Sequence, residues 1–288
     1  LERGAEIILE TARFWASRAE WKAEPGRYEI SDIVGPDEYH DHVDNNAYTN
    51  ALARWNLQLA AGVEEWLQAE RPLAWRKLNR RVRVAAKEVA HWRQVAERMY
   101  VPFDPVTRLI EQFQGYFQRT DVDLLALEPR NQSVQQLLGI DGVNQTQVLK
   151  QPDVLMLMYL LPDLYDVPTV RANYVYYTAR TDHTHGSSLG PSIQAIMACR
   201  MNDAAAYQHF MRAARADLYD VRHNAGDGIH GASAGGLWQA VVFGFAGLTR
   251  VGDTWVTRPQ LPERWTRVSF KVIDHGVERT FVVERVAA

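Results

Sequence analysis

The sequence predicts a mainly α protein, an array of helix hairpins followed by a small β element. Three observations predict it. Apolar residues recur at helical spacing from residue 1 to about residue 250. Polar, Gly- or Pro-bearing loops join most blocks of similar length, as in stacked helix hairpins, and no short exact repeat is present. Near Val251 the period changes from helical to alternating. The expected organisation is a helical domain over 1–250 and a β domain over 251–288, with the break between Thr249 and Trp255.

The first helix is carried by Ile7, Ile8, Ala12, Phe14 and Trp15. A second follows through Leu52, Trp55, Leu59, Val63 and Trp66, and a third through Val84, Val89, Trp92, Val95 and Met99. Further helices are expected over 153–161, 191–201, 203–218 and 234–248. In WTRVSFKVI, Val268, Phe270 and Val272 alternate to one side; Asp274-His275-Gly276 reads as a turn, and VERTFVVERV returns as the partner strand. A lone hairpin is marginal in water, so these strands are expected to join a sheet with TWVT or with strands outside this chain. The chain opens on Leu1 directly in helix, as though cut from something larger.

Bulk properties narrow the function. A hydrophobic fraction of 47% lets 288 residues bury a sizeable core. The net charge of −3 supplies no basic field for nucleic acid or an anionic membrane. No apolar run is long enough to span a bilayer, and LERGAEIILE, amphipathic and acidic, does not suit a signal peptide. The single cysteine, Cys199, excludes an internal disulfide framework and fits the cytoplasm; within an apolar helix it reads as core. His183 and His185 lack any HExxH or CxxC pattern, so no metal is expected. Nine Trp and twelve Tyr suit sugar stacking and core packing equally.

Four stretches draw attention. In residues 34–50, Gly35-Pro36 forces a turn that sets Asp37 and Glu38 at its tip beside Tyr39 and His40, and Asp44-Asn45-Asn46 offers helix caps. The two carboxylates are solvated turn residues, or one is a general acid whose pKa is raised by the neighbouring rings. In THGSSLGPS, Ser187 or Ser188 can cap the next helix. With His185 and the unpaired helix N–H groups they also form an anion cradle, though the loop holds no Lys or Arg. NAGDGIHGASAGGLW is a Gly-rich connector around His230, or a close approach to a ligand. Lys150-Gln151-Pro152-Asp153 opens a helix, or offers several donors to sugar hydroxyls.

These stretches together resemble glycoside hydrolase family 65, the disaccharide phosphorylases acting on maltose, trehalose, kojibiose and nigerose. The resemblance is carried by GPDEYHDHVDNNAYTN, KQPDVLMLMYLL, RTDHTHGSSLGPSIQA and DGIHGASAGGLWQAVVFGFAGL, in the family's order, and LPERWTRVSFKV resembles the start of its C-terminal β domain. It implies an (α/α)6-barrel catalytic domain followed by a small β-sheet or β-sandwich element. Glu38 matches the general acid, Lys150 and Gln151 the residues holding glucose, and His185, Ser187, Ser188 and His230 the phosphate loops. The implied reaction is inverting phosphorolysis of an α-linked glucose disaccharide to β-glucose 1-phosphate and a free sugar. Inorganic phosphate is then the co-substrate, with no cofactor and no metal. The alternatives are a hydrolase of the same family that uses water, or a non-catalytic carbohydrate-binding fragment. The family also implies a homodimer. Its members are longer, and the helical residues here are too few for a complete barrel. A missing N-terminal part or a complementary chain is therefore expected to complete the pocket, and the chain alone is expected to be inactive.

Overall fold

The structure, a computed structural model, describes residues 2–285; Leu1 and the end of the expected β element, 286–288, lie outside the described residues. The chain divides into two compact units, 1–119 and 120–288.

The first unit is a helical bundle of α1 (Glu2–Arg18), α2 (Ala47–Glu70), α3 (Pro72–Val82) and α4 (Ala86–Arg98). Two short hairpins accompany it: β1 (Glu20–Lys22) with β2 (Arg27–Glu29), and β3 (Phe103–Asp104) with β4 (Leu109–Ile110). α1 buries Ala5, Leu9, Ala12 and Ala16, residues spaced to share one helix face. α2 is capped by Asn46, whose Oδ1 accepts from the Thr49 N–H at 2.9 Å. Pro72 at the first turn starts α3, where its missing N–H costs nothing. Arg13 forks onto Glu88 at 2.5 and 3.1 Å and ties α1 to α4.

Helical spacing located α2 but misread its inner face. Ala53, Leu57, Ala60, Ala61 and Leu67 are buried, whereas Trp55 and Trp66 are 45% and 42% exposed. The alanines allow close approach of α1 and α4, which the large rings would prevent. α1 shows the same inversion, with Ile7 and Phe14 outward. In α4 the expected set holds: Val84, Val89, Trp92, Val95 and Met99 are all buried.

The second unit contains α5 (Val134–Asn144, interrupted at Gly139), α6 (Asp153–Leu160), α7 (Val167–Arg180), α8 (Gly190–Met201), α9 (Ala206–Arg215) and α10 (Gly231–Gln239). α8 is its axis. Every residue from Gly190 to Cys199 is buried, and α6, α7, α9 and α10 all pack on it. Its two buried polar side chains are bonded inside: Ser192 Oγ donates to the Leu189 carbonyl, and Gln194 pairs with Thr178 and Thr181. Burial pushes the Cys199 thiol up to about 12, as suits a core residue and not a nucleophile. The stretch read as a connector through residue 238 is helical from Gly231, and α10 continues into a π-helical turn, Ala240–Phe245.

Beyond it lie hairpins β5 (Thr249–Val251) with β6 (Thr254–Val256), and β7 (Arg267–Asp274) with β8 (Val277–Glu284). Val268, Phe270 and Val272 take the more buried side of β7, and His275 and Gly276 turn the hairpin with positive φ. TWVT pairs with Thr249–Val251 in its own two-stranded sheet and does not extend β7–β8. Trp265 anchors the approach to β7 by packing edge-on against Phe210 and Phe245, at 5.5 and 5.1 Å.

Candidate active site

In the first unit, Ile33 and Val43 exchange backbone hydrogen bonds at 3.0 and 3.1 Å, pinching the intervening residues into a closed loop. Within it the His40 N–H reaches the Asp37 carbonyl at 3.2 Å, making a turn of Asp37, Glu38, Tyr39 and His40. The Asp37 side chain bridges the same turn: Oδ2 takes His40 Nδ1 at 2.7 Å and Gln112 Nε2 at 2.8 Å. Asp37, Tyr39 and His40 are buried, and the His40 ring packs on Phe113 and Tyr116. Glu38 alone of the four is exposed.

The two adjacent carboxylates therefore divide their tasks. Asp37 is a buried anchor, not a solvated turn residue, while Glu38 stands outward on a turn fixed by backbone and side chain. Tyr39 and His40, expected to flank Glu38, both turn into the core. The amides that follow are framework as well. Asn45 Oδ1 accepts from the Ile30 N–H and from Asn50 Nδ2, and Asn45 Nδ2 donates to Gln114. Asp44 is not the cap; it accepts from the Asp32 N–H.

In the second unit, Asp182 organises the THGSSLG loop. Arg130 meets its carboxylate in two prongs at 2.7 and 2.9 Å, and the Val134 and His185 N–H groups add two more bonds. Burial pushes the Asp182 carboxyl up, but Arg130 and these N–H groups outweigh it and hold the group below its ordinary range. His185 Nε2 lies 3.2 Å from the Arg130 carbonyl. At Gly186 a Cβ would fall 2.5 Å from the Asp182 carbonyl oxygen, so only glycine lets the loop close. Ser187 Oγ accepts from the Leu189 N–H at 3.1 Å, and neither serine caps α8, which starts at Gly190 after Leu189.

Lys150 and Gln151 run beside this loop. Leu149 bridges Thr181, and the Lys150 carbonyl lies 3.3 and 3.5 Å from where Cβ atoms on Gly186 and Gly190 would stand. On another side comes the start of α10. Ser233 Oγ donates to the Ser188 carbonyl at 2.9 Å, and Gly236 lets α10 touch α8, where a Cβ would meet Ser192 Oγ at 2.3 Å. His230 directly precedes α10. Its backbone N–H donates to Asp217 Oδ2 at 2.8 Å, its ring Nδ1 to Asp217 Oδ1, and Asn224 Nδ2 lies 3.4 Å from its Nε2. The His230 ring and N–H hold the Asp217 carboxyl below its usual range.

The second unit thus gathers six of the seven candidates, Lys150, Gln151, His185, Ser187, Ser188 and His230, around the N-termini of α8 and α10. Glu38 belongs to the first unit. The Gly190 N–H of α8 and the first-turn N–H groups of α10, with two hydroxyls and an imidazole, can together hold an oxyanion; Pro191 has no N–H, and that of Ser192 goes to the Leu189 carbonyl. Sequence reasoning missed the residues that shape this loop: Asp182, Arg130, Asp217, Arg222 and Ser233. Asp182 stands inside the quoted motif, whereas Arg130 and Asp217 carry no local signal.

Comparison with known proteins follows the same ground. The model of the glycosyl hydrolase family 65 central catalytic domain matches residues 1–239. The chain is 44% identical over 293 residues to kojibiose phosphorylase of Caldanaerobacter subterraneus subsp. tengcongensis, covering 100% of this chain and 38% of that protein. It is 39% identical over 287 residues to 1,2-alpha-glucosylglycerol phosphorylase of Bacillus selenitireducens, covering 95% and 36%. A solved structure assigned as a kojibiose phosphorylase from human microbiome superposes with a TM-score of 0.87 at 29% identity, covering 98% of this chain and 41% of that one. The chain spans little more than a third of the length of the curated relatives it matches.

Proposed function

The chain belongs to glycosyl hydrolase family 65, and from that premise we propose that it serves inverting phosphorolysis of an α-linked glucose disaccharide. Its helices then form part of an (α/α)6 barrel, completed by a further segment or a complementary chain. Glu38 is the general acid. Its carboxyl proton passes to the glycosidic oxygen as the bond from that oxygen to the anomeric carbon breaks. A phosphate oxygen forms the new bond to the same carbon from the opposite face. β-Glucose 1-phosphate and the free sugar leave, and Glu38 remains as a carboxylate until it is reprotonated.

The observation that carries this reading is the double helix-terminus cradle of the second unit, with Ser187, Ser188 and His230 at the starts of α8 and α10. Phosphate is already a nucleophile, so it needs positioning and charge compensation more than a base. An inverting hydrolase needs a second carboxylate to activate water. Two carboxylates beside the cradle, Asp182 and Asp217, are engaged by Arg130 and His230, which takes both away from activating water. Lys150 and Gln151, alongside the cradle, are then placed to hold the glucosyl hydroxyls.

The experiment is a rate assay of the full-length protein on α-linked glucose disaccharides with and without phosphate. Sugar release should require phosphate, and Glu38→Gln should abolish it while leaving the fold intact. Release that proceeds equally well without phosphate, or survives in Glu38→Gln, sinks the proposal.

A further inference from the structure

The THGSSLG loop contains no Lys or Arg, yet a phosphate dianion held by neutral donors alone would be poorly compensated. The fold supplies a cation from elsewhere in the second unit. Arg222 follows α9 and reaches back to the loop: its guanidinium donates to the Ser187 carbonyl at 2.6 Å and lies 3.3 Å from the Thr184 carbonyl. Its positive charge also acts on Asp217, the carboxylate that fixes His230. Arg222 thus meets the loop at Ser187 and Ser233 meets it at Ser188, while Asp217 holds His230 at the start of α10.

We propose that Arg222 and Asp217 are positioning residues of the phosphate pocket, Arg222 by clamping and charging the Thr184–Ser187 turn and Asp217 by orienting the His230 ring. Arg222 binds the turn through its Thr184 and Ser187 carbonyls, while Asp182 takes the His185 and Gly186 N–H groups, so the turn is held from both sides. The Arg222 charge offsets the approaching anion. Asp217 takes both the Nδ1 proton and the backbone N–H of His230, which fixes the tautomer and the orientation of the ring, with Asn224 Nδ2 at 3.4 Å from Nε2 on its other edge. The arrangement predicts selective damage: losing either residue should impair phosphate and leave the sugar side largely alone. This inference rests on the phosphorylase reading and deepens it.

The test is initial-rate kinetics of the full-length protein with inorganic phosphate and disaccharide varied in turn. Wild-type protein that forms no glucose 1-phosphate would defeat the phosphorylase reading itself. Where wild type does form it, Arg222→Gln should raise the phosphate KM on the order of tenfold to a hundredfold, the worth of a charged hydrogen-bonding partner. The disaccharide KM should stay within about twofold of wild type. Arg222→Lys, which keeps the charge, should recover part of the loss and covers the case in which the glutamine variant does not fold. Asp217→Asn should likewise raise the phosphate KM, by about tenfold. An unchanged phosphate KM in these variants, or an equal rise in both KM values, overturns the inference and leaves the phosphorylase reading standing.

Discussion

The Asp37–His40 turn of the first unit and the Ser187–Ser188 loop of the second are braced in different ways. The turn that carries Glu38 is bridged from within by Asp37 and His40, three residues apart, and Gln112, Phe113 and Tyr116 support it from one further segment. The Ser187–Ser188 loop is set from afar. Arg130 reaches Asp182, Arg222 reaches Ser187 and Ser233 reaches Ser188, across sequence separations of 52, 35 and 45 residues. A proton donor needs one side chain at one point, which a braced turn provides. An anion cradle needs several N–H groups and hydroxyls converging on a volume, which no single turn provides.

If that contrast is right, the largest effect should come from the distant brace. Arg130→Met leaves Asp182 buried without its cation, at a cost of about 3–5 kcal/mol in denaturant unfolding. The paired change Arg130→Met with Asp182→Leu should recover much of it. A loss below about 1 kcal/mol in the single variant would mean that the pair is not the loop's anchor.

The local brace should show next, and in kcat. Asp37→Asn removes the charge from the Asp37–His40 bridge and loosens the turn under Glu38. It is expected to lower kcat on the order of tenfold to a hundredfold, with the disaccharide KM changing little. Unaltered kcat would show that the turn holds Glu38 without its side-chain bridge.

Ser188→Ala combined with His230→Ala should then weaken phosphate by about tenfold, far more than the disaccharide. Equal weakening of both would erase the division of labour between the two regions.

The smallest effect is a pH dependence in the second unit. Burial pushes the His183 imidazole down to about 4 and that of His209 down to about 3, with the Arg212 charge adding to both. Their rings pack at 4.7 Å. Both are neutral in the fold at neutral pH. Below the unfolded value of 6.5 the unfolded chain takes up protons that the fold refuses, so stability should fall as pH drops from about 6.5 towards 4. Thermal melts of His209→Gln should show a shallower acid slope; an identical slope would mean that these rings do not govern acid stability.

The same contrast explains what the sequence disclosed. The turn at Asp37–His40 was legible because Gly35-Pro36 announces it, though the burial of Asp37 was not, and α4 was legible because its large apolar residues face one way. The inner faces of α1 and α2 were not, since small alanines do the packing while Trp55, Trp66 and Phe14 point outward. α7 was invisible to apolar spacing because it buries Thr169, Asn173, Tyr174 and Tyr177, a polar and aromatic face. Around the THGSSLG loop the motif stood out in the sequence, but its contacts with Arg222 and those of His230 with Asp217 did not, because only the folded second unit brings these residues together.

The most direct test of the central claim is the anomeric configuration of the first-formed sugar phosphate, followed by proton NMR during turnover in phosphate buffer. A proton donor on one face of the glucosyl ring and phosphate on the other must invert the anomeric carbon, so β-glucose 1-phosphate should appear first. Initial formation of the α anomer would contradict the account, as would glucose released without any sugar phosphate.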